Sequence, residues 1–95
     1  MRIYGPLKLG TAVRVVVSIS VATATSMKIS IEDPYDTTIV DEADMTKEAD
    51  GYYSYIWQSS EYPTGKEGVY DVITKATYGG YDSVKESNFR MERAG

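Results

Sequence analysis

Residues 13–21, VRVVVSISV, alternate between two kinds of side chain and thereby restrict the folds open to this chain. The odd positions are all β-branched and apolar, and the even positions are mostly polar. A period of two indicates a β-strand with one buried face, because successive side chains of a strand point to opposite sides of the sheet. Residues 27–33, MKISIED, repeat the pattern with Met27, Ile29 and Ile31 on the apolar side. We therefore expect a β-sheet protein with a buried inner face.

Turn signals divide the rest of the chain into further strand-sized pieces. Strands are predicted around residues 38–40, 52–57, 68–76 and 84–92. Asp33-Pro34 ends the strand before it, since proline cannot donate to a sheet ladder. Gly79-Gly80 predicts a tight hairpin, since two glycines supply the positive φ angles that such a turn needs. Residues 41–51, DEADMTKEADG, fit either a brief helical turn or a short edge strand through Met45. About seven short strands without a helical period indicate an all-β sandwich or barrel.

One domain accounts for the whole sequence of 95 residues, which suffices for one core. Residues 1–9 are interpreted as an N-terminal arm or edge segment, and residues 10–95 as a single sandwich domain. Residues 1–26 superficially resemble a signal peptide, but Arg14 lies inside the would-be apolar region and the run alternates, so no signal peptide is predicted. No apolar run approaches the length of a membrane span, so no membrane partner is expected.

Charge and composition exclude several kinds of chemistry. Fourteen acidic residues against ten basic ones give a net charge of −4, which disfavours binding to the phosphates of nucleic acids. The sequence contains no cysteine and no histidine, which removes disulfides, thiolate catalysis, and the usual general base and transition-metal ligand. We therefore predict no cofactor and no catalytic site, and expect a protein that is not an enzyme.

Five segments occur in an order that resembles a known family. They are LGTAVRVVV, KISIEDPYD, DGYYSYIW, EGVYDVITKA and NFRME, which are distributed from residue 9 to residue 92. In this order they resemble the immunoglobulin-like domains of the macroglobulin type and the small immunoglobulin-like modules of bacterial, archaeal and phage proteins. The resemblance implies an immunoglobulin-like antiparallel β-sandwich, in which Gly68-Val69-Tyr70 opens strand F and the Tyr70 hydroxyl forms a tyrosine-corner hydrogen bond.

The resemblance also implies a function. Within this group the chain is similar to single-domain proteins encoded among phage structural genes, which implies a non-enzymatic, virion-associated head or tail protein whose partners are virion subunits or copies of itself. The alternative is a module of a secreted or cell-surface adhesion or stalk protein that binds carbohydrate, protein or calcium. A further alternative is a protease inhibitor that uses the loop SSEYPTGKEG, residues 59–68. The expected location is accordingly the virion or the extracellular space.

The aromatic residues fall into two sets. Tyr53, Tyr55 and Trp57 alternate in register with a buried face and are predicted to lie mainly in the core. Tyr62, Tyr78 and Tyr81 are predicted in loops and turns, where tyrosine provides a large contact area and a hydroxyl for binding protein or sugar. The other interpretation is that these three tyrosines cap the open ends of the sheets.

Two further groups of residues are candidates for contacts. Ile3, Leu7 and Leu9 are the apolar residues of the arm and are predicted to anchor it, either on the first strand or along a neighbouring subunit. Acidic residues of the loops are the candidate calcium ligands, because calcium binds six to eight oxygen atoms; they are Asp33, Asp36 and Asp44. The spacing of a calcium-binding helix–loop–helix motif is absent, and the other interpretation is that these acids are solvated and keep the protein soluble.

Overall fold

Two antiparallel four-stranded sheets make up the computed structural model, which describes residues 1–94. The eight strands are β1 (Arg2–Tyr4), β2 (Ala12–Ser18), β3 (Ser26–Glu32), β4 (Thr38–Asp44), β5 (Thr46–Ala49), β6 (Tyr52–Gln58), β7 (Gly68–Tyr78) and β8 (Tyr81–Met91). The first sheet has the order β1-β2-β6-β5 and the second the order β4-β3-β7-β8. Within residues 1–94 the chain forms no helix, and so none long enough to cross a membrane. Gly95, the last residue of the predicted domain, lies outside the described residues.

The predicted all-β sandwich is confirmed, with eight strands in place of about seven. Its strand order is that of immunoglobulin sandwiches, A-B-E-D facing C-F-G, with one more strand beside C. Beside C, the added strand is β4, whereas the strand missing from the sequence prediction is β1, which lies within the predicted arm. The helical-turn interpretation of residues 41–51 is wrong, because β4 continues to Asp44 and β5 begins at Thr46, directly after Met45.

The core lies between the inner faces of the two sheets, as the alternating pattern predicts. Val13, Val15 and Val17 of β2 are fully buried, and so are Ile29 and Ile31 of β3. Burying a side chain of this size contributes about 1.5–3 kcal/mol relative to leaving it in water. The strands are therefore held together mainly by one continuous apolar layer.

Aromatic residues close the core at the end where β6 ends and β7 begins. Tyr70 and Phe89 stack with their ring centroids 5.4 Å apart, and Trp57 lies 5.4 Å from Tyr70. The Tyr70 hydroxyl donates a hydrogen bond of 2.6 Å to the carbonyl of Lys66. The tyrosine corner implied by the family resemblance is thus present in the structure.

A tight turn connects β7 and β8. Tyr78 pairs with Tyr81 across Gly79 and Gly80, whose φ angles are 59° and 78°. Two positive φ angles are what a two-residue hairpin loop of type I′ requires, and the predicted hairpin is confirmed. The pairing continues for eleven residue pairs, from Tyr78↔Tyr81 to Gly68↔Met91.

The N-terminal segment contacts both sheets. Ile3 of β1 pairs with Val15 of β2 in the first sheet. Further along, the Leu9 N–H donates to the Glu92 carbonyl at 2.8 Å, and the Glu92 N–H donates to the Leu7 carbonyl at 3.2 Å. Lys8 and Glu92 form a parallel bridge there, beyond the end of β8. The segment thus crosses from the edge of one sheet to the edge of the other.

Candidate interaction surfaces

The three candidate tyrosines lie at opposite ends of the sandwich. We call the end with the loops of residues 5–11, 33–37 and 59–67 the loop end, and the end with the Gly79-Gly80 turn the hairpin end. Tyr62 lies at the loop end, where the Arg93 guanidinium is 4.0 Å from the centre of its ring. Tyr78 and Tyr81 flank the turn at the hairpin end, with Tyr78 half-buried and Tyr81 78% exposed. The length of β8, about 30 Å, separates the two groups, so they do not form one site.

The apolar residues of the arm pack on their own sandwich. Leu9 is 3% exposed and belongs to the core, and Ile3 and Leu7 are half-buried against it. Leu7 adopts a φ of 55°, in the left-handed region, where the segment turns from one sheet edge to the other. Little of Leu9 is therefore left for contact with a neighbouring subunit.

The structure separates the three candidate calcium ligands. Asp33 and Asp36 lie in the turn before β4, whereas Asp44 lies at the other end of that strand and forms an ion pair with Lys28. The Asp33 carboxylate accepts hydrogen bonds from the N–H groups of Tyr35 and Thr37, at 2.8 and 2.9 Å, so it organises its own turn. Within residues 1–94, no group of three acidic side chains could hold a metal ion.

A cleft of about 230 Å³ opens between the sheets at the loop end. The aromatic residues Trp57 and Tyr70 line it together with Asp33 and Lys66. The remaining lining residues are Ile39, Ser60, Thr64 and Gly65. Burial raises the pKa of the Tyr70 hydroxyl, the Asp33 carboxylate raises it further, and the hydrogen bond to Lys66 opposes both. Aromatic surface beside a few polar groups is typical of small-ligand sites.

The sequence pattern predicts Trp57 in the core and does not assign it to this cleft. Its ring does pack on Tyr70, but the side chain remains half-buried and also lines the opening. Trp57 is the second-last residue of β6, and a residue near a strand end borders solvent even when it faces inward. That position in the predicted strand is the only signal in the sequence that points to this second role.

Apolar side chains also meet on the outer face of the first sheet. We call this surface the apolar face; it consists of Tyr4, Val16, Tyr52 and Ile56. Ile56 is 65% exposed and Tyr4 44% exposed, and both lie beside Arg14, whose guanidinium is 5.9 Å from the centre of the Tyr4 ring. The strand register makes Val16 a diagonal neighbour of both Tyr4 and Ile56, so the surface is continuous across β1, β2 and β6.

The four sheet edges differ in how open they are to another strand. β1 has three residues, β5 has four with a register shift, and β4 contains two register shifts. β8 is eleven residues long and pairs with β7 without interruption. Lys85 of β8 points inward, and its amine donates to the Ser18 carbonyl of the facing sheet at 2.6 Å. Inward charges, short strands and bulges all limit edge-to-edge pairing, and β8 has only the first of these.

Compared with models of known families, with curated proteins and with solved structures, the chain matches none of them. The strand order agrees with an immunoglobulin-type sandwich at the level of topology. The narrower resemblance, to the macroglobulin and phage types, remains a prediction from the sequence.

Proposed function

We propose that this protein is a non-enzymatic structural and interaction module, and more narrowly a small immunoglobulin-like component of a phage head or tail. The observation that carries the proposal is the apolar face. Ile56 is 65% exposed, the half-buried Val16 is its diagonal neighbour, and Tyr4 lies on the other side of Arg14. Apolar side chains that are grouped on a flat sheet face gain free energy when a protein partner removes them from water.

The chemistry of the surface supports protein partners over other classes. Tyr4, Tyr52 and Arg14 lie on or beside the apolar face, and tyrosine and arginine are enriched at protein interfaces. The net charge of −4 disfavours nucleic acid. The proposed partners are copies of the same chain or other virion subunits, and the proposed location is the virion.

Light scattering coupled to size-exclusion chromatography tests the assembly role over a wide range of concentration. We expect assemblies of more than two chains, and we expect Ile56→Lys to remove them because it places a charge in the apolar face. Val69→Lys is the matched control, since Val69 is also exposed, at 45%, but lies on the second sheet. The proposal fails if the mass never exceeds two chains, or if both variants change it equally.

The cleft at the loop end supports a second candidate, a carbohydrate-binding module of a surface protein. Trp57 provides an apolar surface for a sugar ring, while Asp33 and Ser60 provide hydrogen-bonding groups beside it. Trp57 is the only tryptophan in the chain, so its fluorescence reports on this cleft alone. A saccharide panel should contain a member that changes this emission in the wild type and not in Asp33→Ala, and a panel without such a member contradicts this candidate.

A further inference from the structure

The outer edge of β8 carries a regular row of unpaired backbone groups. The two residues that flank a two-residue hairpin loop exchange both of their backbone hydrogen bonds, and the pattern then alternates along the ladder. Because Tyr78 pairs with Tyr81, the odd residues of β8 bond to β7 and the even ones direct their N–H and C=O groups away from the sheet. The even residues are Asp82, Val84, Glu86, Asn88 and Arg90. No backbone hydrogen bond within residues 1–94 reaches them.

Glu92 shows that this edge accepts another segment. Glu92 is the next even residue, and its N–H and C=O groups bond to Leu7 and Leu9 of the N-terminal segment. One position of the edge is thus already paired by strand addition. The five even positions before it have the same geometry and are open.

We propose that β8 pairs with β8 of a second copy of this chain, antiparallel and about a two-fold axis at Glu86. The sheet with the order β4-β3-β7-β8 in one copy would then join the same sheet of the second copy into one continuous sheet. This inference rests on the proposed assembly role and names one of its contacts and the partner at that contact.

The N-terminal segment fixes the register. Only even residues carry open backbone groups, so even residues pair with even residues. A partner strand can reach Arg90 but not Glu92, where residues 7–9 already lie. The longest ladder within this limit places Asp82 opposite Arg90 of the second copy, and by symmetry Arg90 opposite its Asp82. Val84 then faces Asn88, and Glu86 faces its own symmetry mate.

Side chains favour this register at both of its ends. Asp82 and Arg90 carry opposite charges, and the two-fold axis forms this pair twice. Lys85 is the inward charge that limits pairing at this edge. In this register it faces Ser87 of the second copy, whose small side chain leaves room for it. The Glu86 pair opposes association, since like charges directly across two strands repel. The edge is thus self-complementary at its ends and repulsive at its centre, which makes the dimer reversible.

Charge exchange tests the register. We expect Asp82→Arg and Arg90→Asp each to weaken the dimer by about tenfold, because each creates two like-charged pairs. We expect the double variant, D82R/R90D, to recover the wild-type dissociation constant, and Glu86→Gln to tighten it. Sedimentation equilibrium measures all four. A wild type that stays monomeric at every concentration overturns the proposal, and so does a double variant no tighter than its single parents.

Proline at an open position tests the backbone pairing. Asn88→Pro removes an N–H that β7 does not use, so the fold should survive. We expect this variant to be monomeric with a melting temperature within about 5 °C of the wild-type monomer, whereas Asn88→Ala keeps the N–H and the dimer. If Asn88→Pro dimerises like Asn88→Ala, the edge is not the interface.

The two proposals fail separately. Ile56→Lys should remove the larger assemblies and leave the β8 dimer, because Ile56 lies on the other sheet. Loss of assemblies in Ile56→Lys together with no effect of the β8 variants overturns the edge pairing alone. If the β8 variants weaken the dimer but Ile56→Lys leaves the larger assemblies in place, the role of the apolar face alone is overturned.

Discussion

Thr74 is the residue whose chemistry fits its surroundings least. It is 1% exposed and faces the core from β7, and within residues 1–94 its hydroxyl has no hydrogen-bond partner. Burying a hydroxyl without a partner costs about 1–3 kcal/mol. The neighbouring inward positions of β7, Val72 and Ala76, are apolar. The position therefore favours a side chain of the same shape without the oxygen.

We expect Thr74→Val to raise the free energy of unfolding by about 1 kcal/mol, because it removes the unpaired hydroxyl and keeps the branched shape. Urea denaturation followed by tryptophan fluorescence measures the change. Thr74→Ser is the matched control: it keeps the hydroxyl, loses a methyl group and should lower stability. A Thr74→Val variant less stable than the wild type would mean that the hydroxyl is satisfied.

At the scale of the strands, the sequence predicts those elements whose inner face is apolar throughout. The apolar inner faces of β2 and β3 predict both strands. The predicted end of β2 lies near residue 21, whereas the strand ends at Ser18. β8 begins at Tyr81, three residues before its predicted start. The sequence pattern misses this start because two inward residues of the strand, Ser83 and Lys85, are polar and interrupt the period of two.

The apolar face is also only partly predictable from the sequence. Val16 and Ile56 are recognisable as outward apolar residues from their own strands. That they are diagonal neighbours depends on the register between β2 and β6, which the pattern within one strand does not specify. The apolar face therefore becomes visible only in the structure.

The junction between the N-terminal segment and β8 should depend on pH. A hydrogen bond from Lys8 and the charge of Lys8, with a smaller contribution from Arg90, lower the pKa of the Glu92 carboxyl below its ordinary value. A carboxylate with a lowered folded-state pKa adds stability above its unfolded pKa and loses it as the pH falls through the folded value. We expect Glu92→Gln to melt below the wild type at pH 6, and this difference to disappear between about pH 5 and pH 3.

Thermal melts of both proteins across this range measure the difference. Glu61→Gln is the matched control: Glu61 is also exposed at the loop end, and within residues 1–94 it forms no ion pair. A Glu92→Gln difference that stays constant down to pH 3 would contradict the role of the Lys8 pair.

At the scale of the whole molecule, the N-terminal segment contributes to the hydrophobic core as well as to the edges of the two sheets. Deletion of residues 1–9 removes Leu9, which is 3% exposed, together with β1 and the bridge to Glu92. Truncating a buried leucine to alanine alone costs about 2–5 kcal/mol. We expect this deletion to lower the unfolding free energy by at least about that amount, whereas deletion of residues 1–4 removes β1 alone and should cost less. Equal losses in urea denaturation would contradict the core role of Leu9.

The parallel bridge between residues 7–9 and Glu92 has a mechanical consequence. Both segments run toward the loop end, so a force that pulls residue 1 and residue 94 apart slides one segment along the other. The two backbone hydrogen bonds and the Lys8–Glu92 ion pair then bear the load together, in shear, and must break at once. The same pull loads β1, which pairs with β2 between residue 1 and the bridge, so the N-terminal segment resists tension along the chain at the edges of both sheets.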